Sequence, residues 1–491
     1  MQIPISAYDL SKRSFFPKKL SKMLSRLAGP PTRYFSTTFP LMRLLPPEVG
    51  SQECSYPIAG KKTRYVDLKN AFNDVKSGDH IFVHGIAATP TPLLEDRIRS
   101  NSLFTGANLR KAVNDGTADF NSVFLQEIPQ LFRSGAIKLN VALIHVSPPD
   151  SNGYCTLGTS IDTTRAAVTQ ADYIIGKTVK RYFVPLIILY HGVYMCCLAM
   201  SNKNMPRTFG DSLIHESHID VMVECDDQLL HERPVSGAAS AEEKKIGEII
   251  ANNLVEDGAT LQMGRVRSIG AIPDAALAAM THHKDLGIHT EMFSDGVLDL
   301  VECNAITNAK KLFHPGKKLQ LVVSFVYGST RLYKYLDDNP SIYFGDCQWV
   351  NDPTIIRTMP KMTAINSAVE MGEAIVADSI GPRFLSGFGG QVDFIRGAAI
   401  GDDGRGKPII ALSSITKKGV SKIVPFINEG AGVVTSRAHV HYLVTENGVA
   451  QLWGKNMRQR AYELIKIAHP SKREELEKAA FERLHTMPSP D

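Results

Sequence analysis

The sequence predicts an α/β protein made of two related open α/β units, and three observations carry that expectation. At 491 residues the chain exceeds the roughly 250–300 residues that one hydrophobic core holds. A short apolar run, Ile81–Val83, feeds Gly85-Ile-Ala-Ala-Thr-Pro-Thr-Pro-Leu-Leu, and a strand leading through a glycine turn into a proline-started helix is an α/β pattern. Residues 258–263 followed by Gly270-Ala-Ile-Pro-Asp-Ala-Ala-Leu repeat that arrangement more weakly. The shared pattern, Gly85-x-Ala-x-x-Pro against Gly270-Ala-x-Pro, is short, so it suggests a repeat without establishing one.

The other elements follow in chain order. Residues 66–75 read as helical before the first strand. Val141–Val146 is a second strand candidate, and its continuation Ser147-Pro-Pro-Asp-Ser-Asn-Gly is a loop by composition. Loops after strand carboxyl ends are where open sheets place ligands. Residues 319–326, 363–366 and 374–376 read as strands, residues 381–406 are the most glycine-rich stretch, and a charged helix over 456–484 is broken around Pro470. Residues 182–200 form an apolar run flanked by Lys177, Lys180, Arg181 and Lys203. The run contains Pro185, His191 and Gly192, and it sits at the short end of the roughly 17–25 residues that span a bilayer. An insertion accounts for it better, and no membrane is expected.

Composition narrows the function classes. Hydrophobic residues make up 43% and charged residues 21%, which is ordinary soluble usage. The formal charge is +5, but residues 1–43 alone carry eight Lys/Arg against one acid, Asp9. No later basic stripe is interleaved with aromatics, so nucleic acid is not an expected partner. The seven cysteines are scattered and form no C-x-x-C pair, which reads as reduced thiols of an intracellular compartment. Residues 1–42 are rich in Lys, Arg, Ser and Leu/Phe, and Arg33-Tyr-Phe-Ser-Thr resembles a processing site. That composition is a mitochondrial transit peptide's, and the matrix is the expected location.

Several familiar sites fail on their residues. There is no G-x-S-x-G elbow; Ala171 stands where a Walker loop ending in Gly176-Lys177-Thr178 needs glycine, and Gly387-Phe-Gly-Gly390 lacks the third glycine of a dinucleotide fingerprint. His282/His283 and His439/His441 have no carboxylate or cysteine at zinc spacing, so no metal is expected. What remains is His289-Thr-Glu291-Met-Phe-Ser-Asp295, a polar segment between apolar runs. A shielded carboxylate there can act as a nucleophile, although from these residues alone an ordinary loop glutamate is the commoner reading. A helix starting after Gly270-Ala271-Ile272-Pro273 aims backbone N–H groups at whatever precedes it. Gly387, Gly389 and Gly390 permit close backbone approach, and Asn351 and Lys418 offer a hydrogen bond and a positive charge.

Taken together these segments resemble the acetyl-CoA hydrolase/transferase family, the class I CoA-transferases. The resemblance runs from about residue 60 to 485 and rests on Asn204-Met-Pro-Arg-Thr-x-Gly-Asp211, Gly270-Ala-Ile-Pro-Asp274, Leu286-Gly-Ile-His-Thr-Glu-Met-Phe-Ser-Asp295, Ser386-Gly-Phe-Gly-Gly-Gln-x-Asp393, and Gly432-Val-Val-Thr-x-Arg-Ala-His-Val-His441 followed by Val444-Thr-Glu-x-Gly448. It implies two α/β domains of CoA-transferase type, 60–318 and 319–485, with the active site between them. It also implies that Glu291 carries CoA as a glutamyl thioester in exchange between acyl-CoA and small carboxylates such as succinate. CoA contacts are implied at Gly270, Ala271, Ile272, Pro273, Asn351, Gly387, Gly389, Gly390 and Lys418. CoA is then substrate and no other cofactor is needed; a homo-oligomer is expected. An acetyl-CoA hydrolase and an impaired CoA-binding variant are the alternatives. Two departures from the family pattern, 178–201 and Arg265-Val-Arg-Ser268, read as insertions.

Overall fold

The computed structural model describes residues 54–90, 99–106, 108–170, 196–225, 228–233, 239–264, 271–311, 319–368, 371–372, 375–377 and 379–491. Residues 1–42, the expected leader, lie outside them. Two largely parallel sheets organise these residues. The first contains β1 (Arg64–Tyr65), β2 (Ile81–Val83), β3 (Val141–Val146), β4 (Cys196–Ser201) and β5 (Val221–Glu224), in the order β1-β5-β4-β3-β2, with every pair parallel. All six residues of β3 are buried. A strand covered on both faces needs a continuous apolar run, and this is why β3 was legible without alternation.

The second sheet contains β6 (Thr260–Met263), β7 (Gly287–Ile288), β8 (Thr363–Ser367), β9 (Lys407–Ala411), β10 (Tyr442–Thr445) and β11 (Gly448–Gln451), ordered β7-β6-β8-β9-β10-β11. It is parallel except for the closing β10–β11 hairpin. Its first two strands come from before residue 319, so the chain passes from one sheet to the other at α1 (Ala241–Asn253). That helix is started by a Ser240/Glu243 capping box. One continuous apolar core reaches from Ile144 and Ile161 through Leu261 and Phe293 to Ile365 and Val444, joining the two sheets.

One expectation gains a structural detail and another needs correction. The segment read as an insertion over 178–201 ends in β4, which lies between β3 and β5, with Val141 opposite Cys196 and Ser201 opposite Glu224. Cys197, Ala199 and Met200 are buried, so residues 196–201 belong to the sheet; a continuous apolar run does not by itself distinguish a buried strand from inserted sequence. Residues 178–195 lie outside the described residues. The helix expected over 66–75 is a single 3₁₀ turn, Leu68–Asn70, followed by turns. Asn70, Asn73 and Asp74 favour turns because their side chains compete with the backbone's helical hydrogen bonds. The closing helix is found broken as read: α5 (Met457–Ile467), a 3₁₀ turn at Pro470–Lys472, and α6 (Arg473–Leu484). Labels α2 to α4 are kept for three helices at the site below. Among the described residues no helix is long and apolar enough to cross a membrane.

Candidate active site

Glu291 stands just before a two-residue strand, Met292–Phe293, that pairs in parallel with Phe325–Val326. The backbone N–H groups of Ser324 and Phe325 both donate to the Glu291 carbonyl at 3.0 Å, which fixes the main chain and so the origin of the side chain. Upstream, His289 is fully buried, with Nε2 donating to the Val350 carbonyl at 2.7 Å. Its ring lies against Trp349 and Phe394. The histidine of the motif thus pins the Glu291 segment to the residue before Asn351.

Asn351 follows the short helix α3 (Cys347–Val350), which Asp346 caps by accepting the Gln348 N–H. Its side chain is completely buried. Asn351 Nδ2 donates to Glu291 Oε2 at 2.9 Å and reaches Asp393 Oδ2 at 3.4 Å. Gly390 completes the group, its backbone N–H facing the Glu291 carboxylate. A Cβ at Gly390 would lie 1.7 Å from Glu291 Oε2 and 2.3 Å from Asn351 Nδ2. A larger residue there would have to push that carboxylate aside. Gly389 has φ +56°, the left-handed conformation that turns the chain into α4 (Gln391–Ala399). Phe104 and Phe120 approach Gly387 and Gly389 from the other half of the chain, and Phe124 meets Phe388 edge to face at 5.2 Å.

Glu291 retains partial exposure, but its carboxyl is pushed up to about 7. Burial is the first cause; the nearby Asp162 charge adds to it, and the Asn351 and Gly390 donors oppose it. Burial, with the Glu291 charge behind it, also holds the Asp393 carboxyl well above the usual carboxylate range. Two carboxylates bridged by one amide are a site prepared for a change of charge.

Sequence reasoning therefore named Glu291, Asn351 and the glycines Gly387, Gly389 and Gly390, which the fold brings together. Gly270 lies outside the described residues. Ala271 precedes α2 (Ile272–Ala278), in which Ile272 and Pro273 are buried. The Ala271 N–H donates to Glu243 Oε1 at 2.9 Å. Asp274 pairs with Arg233 and accepts from Ser294. Lys418 is exposed in the turn closed by Thr416 and Val420. The lysine of this loop that turns inward is Lys422, which donates to Ser413 Oγ at 2.9 Å. Burial lowers its pKa, with Glu243 and Glu446 opposing. Asp393 and Asp162 were missed as site residues, although Asp393 closes the quoted Ser386-to-Asp393 motif.

A model of the acetyl-CoA hydrolase/transferase N-terminal domain matches residues 93–231, and one of the C-terminal domain matches residues 328–480. The chain is 47% identical over 475 residues to a succinyl-CoA:acetate/propanoyl-CoA:succinate CoA transferase of Fasciola hepatica, covering 90% of this chain and 93% of the relative. It belongs to the acetyl-CoA hydrolase/transferase family. A 4-hydroxybutyrate coenzyme A transferase of Clostridium kluyveri is 44% identical over 84% of this chain and 90% of its own length. A crystal structure of 4-hydroxybutyrate CoA-transferase from Porphyromonas gingivalis superposes with a TM-score of 0.67 at 33% identity, covering 86% of this chain and 98% of that one. In this family member Asn351, Gly390 and Asp393 fall inside the matched C-terminal span, whereas Glu291 lies between the two spans.

Proposed function

We propose that this family member exchanges CoA between an acyl-CoA and a small carboxylic acid, acetyl-CoA and succinate among them, with Glu291 as the covalent carrier. The supporting observation is the Glu291 carboxylate held at 2.9 Å from Asn351 Nδ2 beside a glycine that leaves its flank bare. A Glu291 oxygen attacks the thioester carbonyl, the CoA thiolate leaves, and a mixed anhydride forms. The thiolate then attacks the Glu291 carbonyl carbon and expels the first acid as its carboxylate, leaving CoA on Glu291 as a thioester. A second carboxylate reverses both steps. No proton is gained or lost in the sum, which suits a site without a dedicated acid. In this scheme the Asn351 amide and the Gly390 N–H stabilise the tetrahedral oxyanions, an effect of about 3–4 kcal/mol per donor. CoA is the substrate, and the scheme uses no further cofactor. The acid-poor, basic residues 1–42 support delivery of the enzyme to the mitochondrial matrix.

The test uses purified protein and acetyl-CoA. Wild type is expected to accumulate an adduct that borohydride reduces and that mass spectrometry assigns to the Glu291 peptide. Glu291→Ala is expected to lose transfer while still binding CoA. An adduct on a different carboxylate, or near-normal transfer by the alanine variant, sinks the covalent reading. Acetyl-CoA consumption that does not depend on added succinate makes the enzyme a hydrolase instead.

A further inference from the structure

Asp393 has no part in the chemistry above, yet its carboxylate is the second one in the same cluster. It lies in the first turn of α4 and is 2% exposed. Its Oδ2 receives Asn351 Nδ2 and the Gln126 backbone N–H, each at 3.4 Å. Gln126 belongs to a 3₁₀ turn, Leu125–Glu127, that is itself tied to the site. The Leu125 N–H donates to the Gly389 carbonyl at 3.2 Å, and Cys347 Sγ donates to the Leu125 carbonyl at 3.3 Å. Asp393 is thus the point where the glycine turn, the Asn351 helix and a turn from the other half of the chain meet.

The Asn351 amide needs such an anchor. Among the described residues its nitrogen reaches two acceptors, Glu291 and Asp393, while its buried oxygen meets no donor. Among the described residues these two acceptors supply the hydrogen bonds that resist rotation of the amide about its last bond. One of them does not last through the reaction. When Glu291 becomes an anhydride or a thioester it loses its charge, and its remaining carbonyl oxygen is a weaker acceptor. During that half of the cycle Asp393 is the main acceptor holding the amide nitrogen toward the reacting carbonyl.

We propose that Asp393 is a positioning residue that keeps the Asn351 amide aimed at the Glu291 acyl carbon while CoA is bound to it. The inference rests on the covalent role of Glu291. It gives Asp393 most influence on the discharge of the thioester and least on the capture of acyl-CoA. The groups facing Asp393 are Glu291 and Glu127. Burial is the first cause that raises its pKa, and the Glu291 and Glu127 charges add to it while the Asn351 and Gln126 donors oppose. Asparagine presents the same oxygen at the same reach, so Asp393→Asn is a conservative replacement, whereas Asp393→Ala removes the acceptor.

The experiment compares wild type, Asp393→Ala, Asp393→Asn and Glu291→Ala in steady-state transfer and in single-turnover discharge of the preformed adduct by succinate. Asp393→Ala is expected to lower kcat by on the order of 10- to 100-fold, and discharge equally, with kcat/KM for acetyl-CoA changing by less than about threefold. Asp393→Asn is expected to recover at least about tenfold of that loss. A merely structural role would lower the yield of folded protein without slowing discharge by the folded fraction. If the alanine variant does not fold, Asp393→Ser replaces it, being polar but too short to reach Asn351. Discharge at the wild-type rate in the alanine or serine variant, or no recovery in the asparagine variant, overturns the proposal. Transfer surviving in Glu291→Ala would instead defeat the covalent reading itself.

Discussion

Replacing Gly390 by alanine adds one methyl group at the most crowded point of the site. The Cβ would fall 1.7 Å from Glu291 Oε2, 2.3 Å from Asn351 Nδ2 and 2.9 Å from Glu291 Cδ. A comfortable contact is roughly 3.5 Å, so the carboxylate must withdraw by well over 1 Å. The backbone does not object: Gly390 has φ −94° and ψ 7°, values open to any residue, so the penalty falls on the side chains. Glu291 retains some exposed surface and escapes by swinging toward it, which breaks its bond to Asn351. A misplacement of about 1 Å costs on the order of 100-fold in rate, or about 2.7 kcal/mol of barrier. Gly390→Ala is therefore expected to transfer CoA at least about 100-fold more slowly, with Tm changed by only about 3 °C. Gly401→Ala, outside the site, is the control, since its Cβ meets nothing closer than the Ala398 carbonyl oxygen at 3.4 Å. The assay is transfer from acetyl-CoA to succinate together with the rate of adduct formation on Glu291. A Gly390→Ala enzyme within about threefold of wild type in both would refute the placement of the nucleophile.

The remaining expectations concern pH and destination. Glu291 must be ionised to attack, and its carboxyl is pushed up to about 7, chiefly by burial, so adduct formation should rise with pH to a midpoint near that value. Stability moves the other way. The folded state holds this proton more tightly than the unfolded chain, so the contribution is complete below the ordinary glutamate value of 4.5 and is lost as pH rises through about 7. Glu291→Gln, which cannot ionise, should flatten that part of a Tm-against-pH curve; identical curves for the two proteins would show that Glu291 is not shielded as described. Residues 1–45 fused to a fluorescent reporter should direct it to mitochondria, and a reporter left in the cytosol removes the support for a matrix location.

What was legible in the sequence depended on how local the signal is. Buried parallel strands such as β3 are continuous apolar runs, and helix ends such as the break at Pro470 carry their own punctuation, so both were found. The site glycines were found because close backbone approach restricts the residue type. The apolar run over 182–200 bears no mark of what it packs against. Only the pairing of β4 with β3 and β5 shows that residues 196–201 are sheet. Asp393 was passed over for a related reason: a carboxylate's partners are set by tertiary contact, and Asn351 and Gln126 lie 42 and 267 residues away. Nothing in Lys-Lys-Gly-Val-Ser-Lys tells that Lys418 is exposed while Lys422 turns inward.

The burial of Glu291 works against its charged form and in favour of the forms it takes during the proposed reaction. An isolated carboxylate in this setting is strained by desolvation, which is why its carboxyl sits near 7. The anhydride and the thioester are neutral and escape that penalty, so the surroundings that raise the pKa also raise the energy of the starting carboxylate relative to the covalent states. Taken alone, that bias would trap CoA on the enzyme. The Asn351 amide and the Gly390 N–H counter it, because both donors are strongest toward a negatively charged oxygen. Such charge is present in the resting carboxylate and in each tetrahedral intermediate, and absent from the thioester between them. Burial and donors therefore act at different points of the cycle, and reversible exchange needs both. This gives a physical reason for a fully buried Asn351 beside Gly390: an amide that could rotate away, or a side chain that pushed the carboxylate aside, would leave desolvation unopposed.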